Sequence, residues 1–438
     1  MKKILTFIFA LVTVLTICSV SALAADTEAI AKIGDTEYTS LQEAIDAAQE
    51  GDTVTLVSDI VPTAGLVVPT DSYVVLDLAG YSISQSVECT ASYQMIANNG
   101  TLYITDSVGG GKISFTDTGV GDAEARWGSY TIRNAGTLVV ENATIENLSE
   151  QNKDQTSFKH TTLAIFQYSG SCTINSGIIS TPYYRSVRLW SGNMTINGGT
   201  FDGQVWIHCV NNTASMTING GEFSPNGMDG SSVFANNSGY VVGLSVTGGS
   251  FATKVGANDT AALAGSITGG TFSANAIASM GENSVLFGGS LIANDDGSFS
   301  VAITLENAFK FLGYSINSEM NSITAGFTVD QELLAMYIEQ NGLTGFDFGC
   351  AFGVDEINDG TYVSFARYTE YQTFNAKIIG IDANNERHTT ANLMMALYID
   401  LGDGNGKSYV VGTGVNNNVK FVAADAVTSV TFGSLIQD

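Results

Sequence analysis

The sequence predicts a mainly β chain: a parallel β-helix introduced by a strand–helix cap and followed by a smaller, mainly antiparallel β-sandwich domain. Three observations predict it. A strand–glycine–strand unit recurs through the middle of the chain, a helix-bearing module precedes it, and the repeat gives way to longer strands near Phe299. Composition agrees with a packed fold. Of 438 residues 44% are hydrophobic, only 14% are charged and four are proline, which excludes coiled-coil, collagen-like and disordered classes.

In chain order, Lys2 and Lys3 precede an apolar run, Ile4 to Val20, and then Ala22-Leu23-Ala24. A basic start, an apolar stretch and a small-residue cleavage site form an export signal, so residues 1–24 are expected to be removed and the mature chain to begin at Ala25. The expectation that follows is a secreted, extracellular protein, held non-covalently if it stays at a cell surface, with no membrane insertion after cleavage.

Residues 25–57 form the strand–helix cap. Ser40-Leu41-Gln42-Glu43 is a capping box, and Leu41, Ala44, Ile45 and Ala48 share one helical face. Gly51 fits the helix stop, and Thr53 to Val57 alternates as a strand. A helix here would cover the open end of a strand stack, whose unpaired edge would otherwise recruit other chains.

Residues 58–297 carry the repeat. Met194-Thr195-Ile196-Asn197-Gly198-Gly199-Thr200-Phe201 returns as Met216-Thr217-Ile218-Asn219-Gly220-Gly221-Glu222-Phe223. It returns again around Gly248-Gly249 and Gly269-Gly270, with weaker copies at Cys172–Gly177 and Leu138–Asn142. Such a unit cannot bury its apolar side alone, whereas stacked units about 4.8 Å apart pair their strands in parallel around a continuous core. The glycine pair permits a positive-φ corner. Stacking further predicts that Asn142, Asn175, Asn197 and Asn219 form an internal amide ladder, and that Phe201, Phe223, Phe251 and Phe272 form an inward column of rings.

In repeat form and in its N-terminal module the chain resembles, over roughly residues 30–295, the right-handed parallel β-helix proteins of the pectate-lyase-like superfamily, particularly secreted surface proteins of Gram-positive bacteria. The resemblance implies a right-handed coil. It includes no catalytic motif: the Asp-rich or Arg-bearing strand motifs of the superfamily's polysaccharide lyases and hydrolases are not found intact.

Residues 298–438 form the sandwich, with Asn294-Asp295-Asp296-Gly297 as its boundary. Expected strands are Val301–Leu305, Phe346–Phe352, Thr361–Tyr368, Ala376–Ile381, Leu393–Asp400 and Ser408–Val411. One helix is expected over Gln331–Gln340, with Asp330 as N-cap and Asn341-Gly342 as its stop.

The formal charge is −26, or 15 − 43 = −28 once Lys2 and Lys3 are removed. That repels nucleic acid and disfavours uronic-acid polymers unless a cation bridges the like charges. No cofactor is expected. Two calcium-loop mimics, at Asp382–Glu386 and Asp403–Gly406, lack required ligands: Arg387 replaces the needed glycine, and Leu401 and Gly412 stand where ligands should be. No metal site is expected. Cys89, Cys172, Cys209 and Cys350 allow two disulfides, but the apolar alternation around Cys172 and Cys209 favours buried free thiols.

One asymmetry bears on function. All three tryptophans (Trp127, Trp190, Trp206) and four of the six arginines (Arg126, Arg133, Arg185, Arg188) lie between 126 and 206. Aligning Val187, Val205 and Val233 inward sends Arg188/Trp206/Phe234 and Trp190/His208/Asn236 outward as two ranks, with Phe166 on the preceding coil. Aromatic platforms with polar donors suit sugar rings. The expected function is therefore non-catalytic binding of an extracellular glycan or cell-surface polysaccharide by a monomer, through Arg188, Trp190, Trp206, His208, Phe234 and Asn236. Two readings compete. Loops such as Glu146–His160 would fold over this face as a satellite core, leaving a structural spacer. Alternatively Arg188 would act as base beside Asp202, Glu222 or Asp229 in a polysaccharide lyase or hydrolase.

Overall fold

The computed structural model describes residues 28–119, 128–151, 161–208, 214–225, 230–236, 242–257, 267–280, 285, 287–316, 322–342, 347–354, 373–379, 392–400, 407–410 and 418–420. For 309–329 and beyond 342 the description is of backbone pairing alone. The export signal, Trp127, Cys209, Asp229, the Thr361–Tyr368 strand and both calcium-loop mimics lie outside these residues, and nothing is described of the Cys350 side chain. The chain divides into two compact units, Met1–Leu244 with Phe251–Asp259, and Ser245–Ser250 with Thr260–Asp438.

The first unit is a stack of coils with three parallel sheets. Its first sheet runs through Thr53–Leu56, Tyr73–Asp77, Thr101–Thr105, Thr137–Glu141, Ser171–Ile174, Gly192–Ile196 and Ala214–Ile218. The second has eight strands: Leu66–Val68, Tyr93–Asn98, Gly128–Asn134, Thr161–Gln167, Arg185–Leu189, Val205–His208, Ser231–Asn236 and Lys254–Ala257. The third includes Ser82–Val87, Lys112–Asp117, Thr144–Asn147, Ile178–Ser180, Thr200–Phe201 and Glu222–Phe223. The chain visits the second, first and third sheets in turn, so each coil is one rung of a parallel β-helix.

Each sheet sends its inward side chains into the core in columns. Val54, Leu76, Ile104, Val140, Ile174, Ile196 and Ile218 are register partners in the first sheet. Ile96, Ile132, Ile165, Val187, Val205, Val233 and Val255 are partners in the second. In the third, Ile83, Ile113, Ile145 and Ile179 lead to Phe201 and Phe223. All are buried, and each such side chain contributes about 1.5–3 kcal/mol. The expected ring column is present: Phe201, Phe223 and Phe251 stack at 4.8 and 4.9 Å with nearly parallel planes, and Phe272 is buried in the second unit. Gly199 and Gly221 take φ of 97° and 105° at the corners before the third-sheet strands.

The amide ladder needs correcting. Asn175, Asn197 and Asn219 do bond in series, each Nδ2 donating to the preceding Oδ1 at 2.9 Å, but on the outside of the corner. Asn142 is linked only through the Ser176 hydroxyl. The corner residue follows an inward isoleucine, so alternation turns it to solvent. The buried ladder is elsewhere, at the end of the second sheet. Asn98 donates to Asn134, and Asn134 to Gln167, both at 2.6 Å and all fully buried. The next register partner is Leu189, where the ladder stops. Beside it, Gly100, Gly136, Gly170 and Gly192 form a column in which a Cβ on each of the last three would fall 2.0–2.1 Å from the preceding glycine's carbonyl oxygen.

At the N-terminus a hairpin, Ala31–Ile33 and Thr36–Tyr38, pairs antiparallel with Thr53–Leu56. The helix spans Leu41–Ala47, with the Glu43 amide donating to Ser40 Oγ and Leu41, Ala44 and Ile45 buried. It ends before Gly51 because Ala48 is already extended, at ψ 135°. Gln42 meets the end strand of the second sheet as a strand would: Nε2 donates to Val67 O and Oε1 accepts from Val67 N, both at 2.8 Å.

In the second unit, Ser290–Ala293 and Phe299–Ala302 form a hairpin whose turn is Asn294–Gly297. The strand expected through Leu305 ends at Ala302. Asn307 Oδ1 accepts from the Thr304 amide and starts a short helix, Leu305–Ala308. A hairpin unforeseen in the sequence, Phe309–Ile316 with Ser322–Val329, pairs onward to Thr373–Ile379. Asp347–Val354, Asn392–Asp400 and Lys407–Val410 form a second antiparallel sheet. The Gln331–Gln340 helix is present, Asp330 accepting from the amides of Glu332 and Leu333.

Candidate functional site

The outer face of the second sheet holds the aromatic and cationic side chains. Its register lines up Arg133, Phe166, Arg188, Trp206 and Phe234 on consecutive rungs, with His208 beside Asn236 in the next rank. Inward valines and isoleucines hold these strands in place, and alternation turns their neighbours outward. Trp190, Trp206, His208, Phe234, Asn236 and Arg188 are all partly exposed.

Arg188 is the hub. Its guanidinium carbon lies 4.5 Å from the Trp190 ring centre and 4.8 Å from that of Trp206, and Nη2 meets His208 Nδ1 at 2.9 Å. A guanidinium only donates, so Nδ1 accepts and the neutral imidazole carries its proton on Nε2. His208 stacks on Trp206 at 4.1 Å and meets Trp190 edge-on at 5.8 Å. Burial, then Arg188 and Arg185, lower its pKa to about 4. Arg185 is buried, donating to Gln204 Oε1 and Tyr184 Oη, and its guanidinium covers Trp206 at 3.6 Å. One rung pair away, Arg133 lies 4.0 Å over Tyr168, which is 41% exposed.

Part of this face is a satellite core. Leu163, Phe166 and Tyr184 are buried together, with Tyr130 and Trp190 packed against them. Phe166 is 7% exposed and presents no open ring. Burial raises the Tyr130 phenol's pKa against the opposing pull of Arg188 and Arg133. Sequence reasoning placed the two outward ranks and counted Arg185 among the clustered arginines, but missed Tyr130, Tyr168 and Tyr184. Tyr168 was readable, since it occupies the position of Trp190 one coil earlier.

Of the carboxylates considered as catalytic partners, Asp202 and Glu222 lie elsewhere. Asp202 accepts from Ser180 Oγ at 2.6 Å and the Thr181 amide at 2.7 Å. Glu222 belongs to a third-sheet strand, and Asp229 lies outside the described residues. Among the described residues no group of three or more His, Cys, Asp or Glu is placed to hold a metal ion, and no helix is long and apolar enough to cross a membrane. Cys89 and Cys172 are free and buried. Burial pushes each thiol up to about 12, with Asp117 adding to the effect at Cys89. Neither is a nucleophile at neutral pH. Comparison with family models, curated proteins and solved structures finds no match for this chain.

Proposed function

We propose that this is a secreted or surface-associated glycan-binding protein of the pectate-lyase-like β-helix type, without catalytic activity. It uses the outer face of the second sheet to hold an extracellular or cell-surface polysaccharide. The observation that carries the reading is the packing of Arg188 between Trp190 and Trp206. The exposed parts of the two indoles offer apolar surface to sugar rings, and a guanidinium held between them keeps its donors oriented at little entropic cost. His208 and Asn236 extend the polar rim along the same rank. The N-terminal helix serves as the cap of the stack, the C-terminal antiparallel sheets form a sandwich used for attachment or recognition, and the protein acts as a monomer.

The test is a glycan array combined with tryptophan fluorescence. The wild-type chain is expected to bind and to show a shifted or quenched emission, both lost in a Trp190→Ala/Trp206→Ala double variant that keeps its β circular dichroism. Binding that survives in that variant refutes the assigned face.

A further inference from the structure

Three successive coils meet at one corner, where the third sheet hands over to the second. Ser82–Val87, Lys112–Asp117 and Thr144–Asn147 are neighbouring strands of the third sheet, and Cys89, Asp117 and Gln151 end or closely follow them. Hydrogen bonds tie the three residues together. Asp117 Oδ1 accepts from the Cys89 amide at 3.1 Å and from the Gly119 amide at 2.8 Å. The Gln151 carboxamide crosses the same turn, its Nε2 donating to Asp117 O at 2.7 Å and to Gly119 O at 3.0 Å. Two carbonyl acceptors fix which end of that carboxamide is nitrogen. Gly119 permits the close approach, since a Cβ there would fall 2.4 Å from Cys89 O.

Two oxygens of the groups bonded to this turn are buried and meet no hydrogen-bond donor: Asp117 Oδ2 and Gln151 Oε1. Asp117 is only 3% exposed, and among the described residues no basic side chain pairs with it. A carboxylate so placed is costly unless its charge is paired, coordinated or removed. A buried water would donate to both oxygens but leave the charge uncompensated. A cation answers both needs at once, drawing on the lone pairs of the two oxygens and cancelling the charge.

We infer that this corner binds a hard, oxygen-seeking cation, with Asp117 Oδ2 and Gln151 Oε1 as its side-chain ligands. One carboxylate and a neutral amide oxygen, not a cluster of acids, make up the site, which suits a weakly held calcium-like ion that keeps several waters. Oxygen-only ligands disfavour zinc and copper. Asp117 and Gln151 stand 34 residues apart, on different coils, so no contiguous loop motif announces them. The ion pins together three coils at the corner that leads into Gly128–Asn134 and Thr161–Gln167, and so stabilises the rungs that carry Arg133 and Phe166. The site does not depend on the glycan-binding reading.

The test melts the chelator-treated chain with and without calcium chloride, magnesium chloride, sodium chloride or potassium chloride, choline chloride holding ionic strength constant, beside an Asp117→Asn variant. Calcium at about 10 mM is expected to raise the wild-type melting temperature by at least about 3 °C, and calorimetric titration to give a Kd of about 10⁻⁴–10⁻³ M. Both effects should vanish in Asp117→Asn, whereas weak binding to the acidic surface is common to the two chains and cancels. Without added cation the variant should melt at or above the wild type, because its amide has no charge to bury. A response to sodium or potassium in place of calcium, again lost in the variant, supports the same site with a monovalent ion. If Asp117→Asn does not fold, Gln151→Ala is read instead, and calcium should bind it several-fold more weakly. No response of the wild type to any of the four cations, or an equal response in the variant, overturns the site and leaves a proton or a water as the partner of Asp117.

Discussion

His208 accepts from a group that can only donate, and that fixes its protonation state in the folded chain. The native ring stays neutral down to about 4, whereas the unfolded chain takes up a proton near 6.5. The stability due to the neutral ring is therefore complete above pH 6.5, declines as pH falls toward 4, and levels off where both states are protonated. Urea unfolding of wild type and His208→Gln at pH 7, 5.5 and 4.5 should show the wild-type advantage shrinking at each step; a constant difference would contradict the assigned proton. The outward ranks containing His208 were legible because Val187, Val205 and Val233 alternate with them. The Arg188–His208 bond was not, because it joins residues whose separation depends on the length of the intervening turn. The burial of Phe166 was equally hidden, depending on Leu163 and Tyr184 from two different rungs.

Among the elements, the corners decide how tightly rungs can approach. The Gly-Gly corners announced themselves by recurring next to an identical strand. The Gly100–Gly136–Gly170–Gly192 column did not, because unequal coil lengths separate its members and only the register shows them to be neighbours. Gly170 has φ 74°, and a Cβ there would lie 2.1 Å from Gly136 O. Gly170→Ala is expected to cost on the order of 2–3 kcal/mol in chemical denaturation through backbone strain. A Gly297→Ala control, at a hairpin tip with open space around it, should cost distinctly less despite its φ of 81°. Among the described residues the expected C-terminal strands were legible to within two or three residues, except where Asn307 starts a helix. The hairpin at 309–329 was missed although Ser322–Val329 alternates cleanly; its partner run, Phe309–Ile316, breaks the alternation at Leu312-Gly313, where the register shifts.

For the molecule as a whole, a repeating stack has two vulnerabilities, its exposed end and its own sameness. Gln42 addresses the first by giving the Val67 backbone both of the bonds that a further strand would supply. Gln42→Ala should increase self-association in static light scattering at high protein concentration, while leaving the core coils as resistant to urea as before. The second vulnerability is answered by the buried amides. Valine, isoleucine and phenylalanine columns would fit nearly as well if the chain slipped by a rung during assembly. Asn98, Asn134 and Gln167 would not, since a slip would part each amide from the neighbouring amide that it bonds. Three polar side chains inside an oily shaft thus act as an index mark, forcing the growing coil to count its turns correctly before it can close.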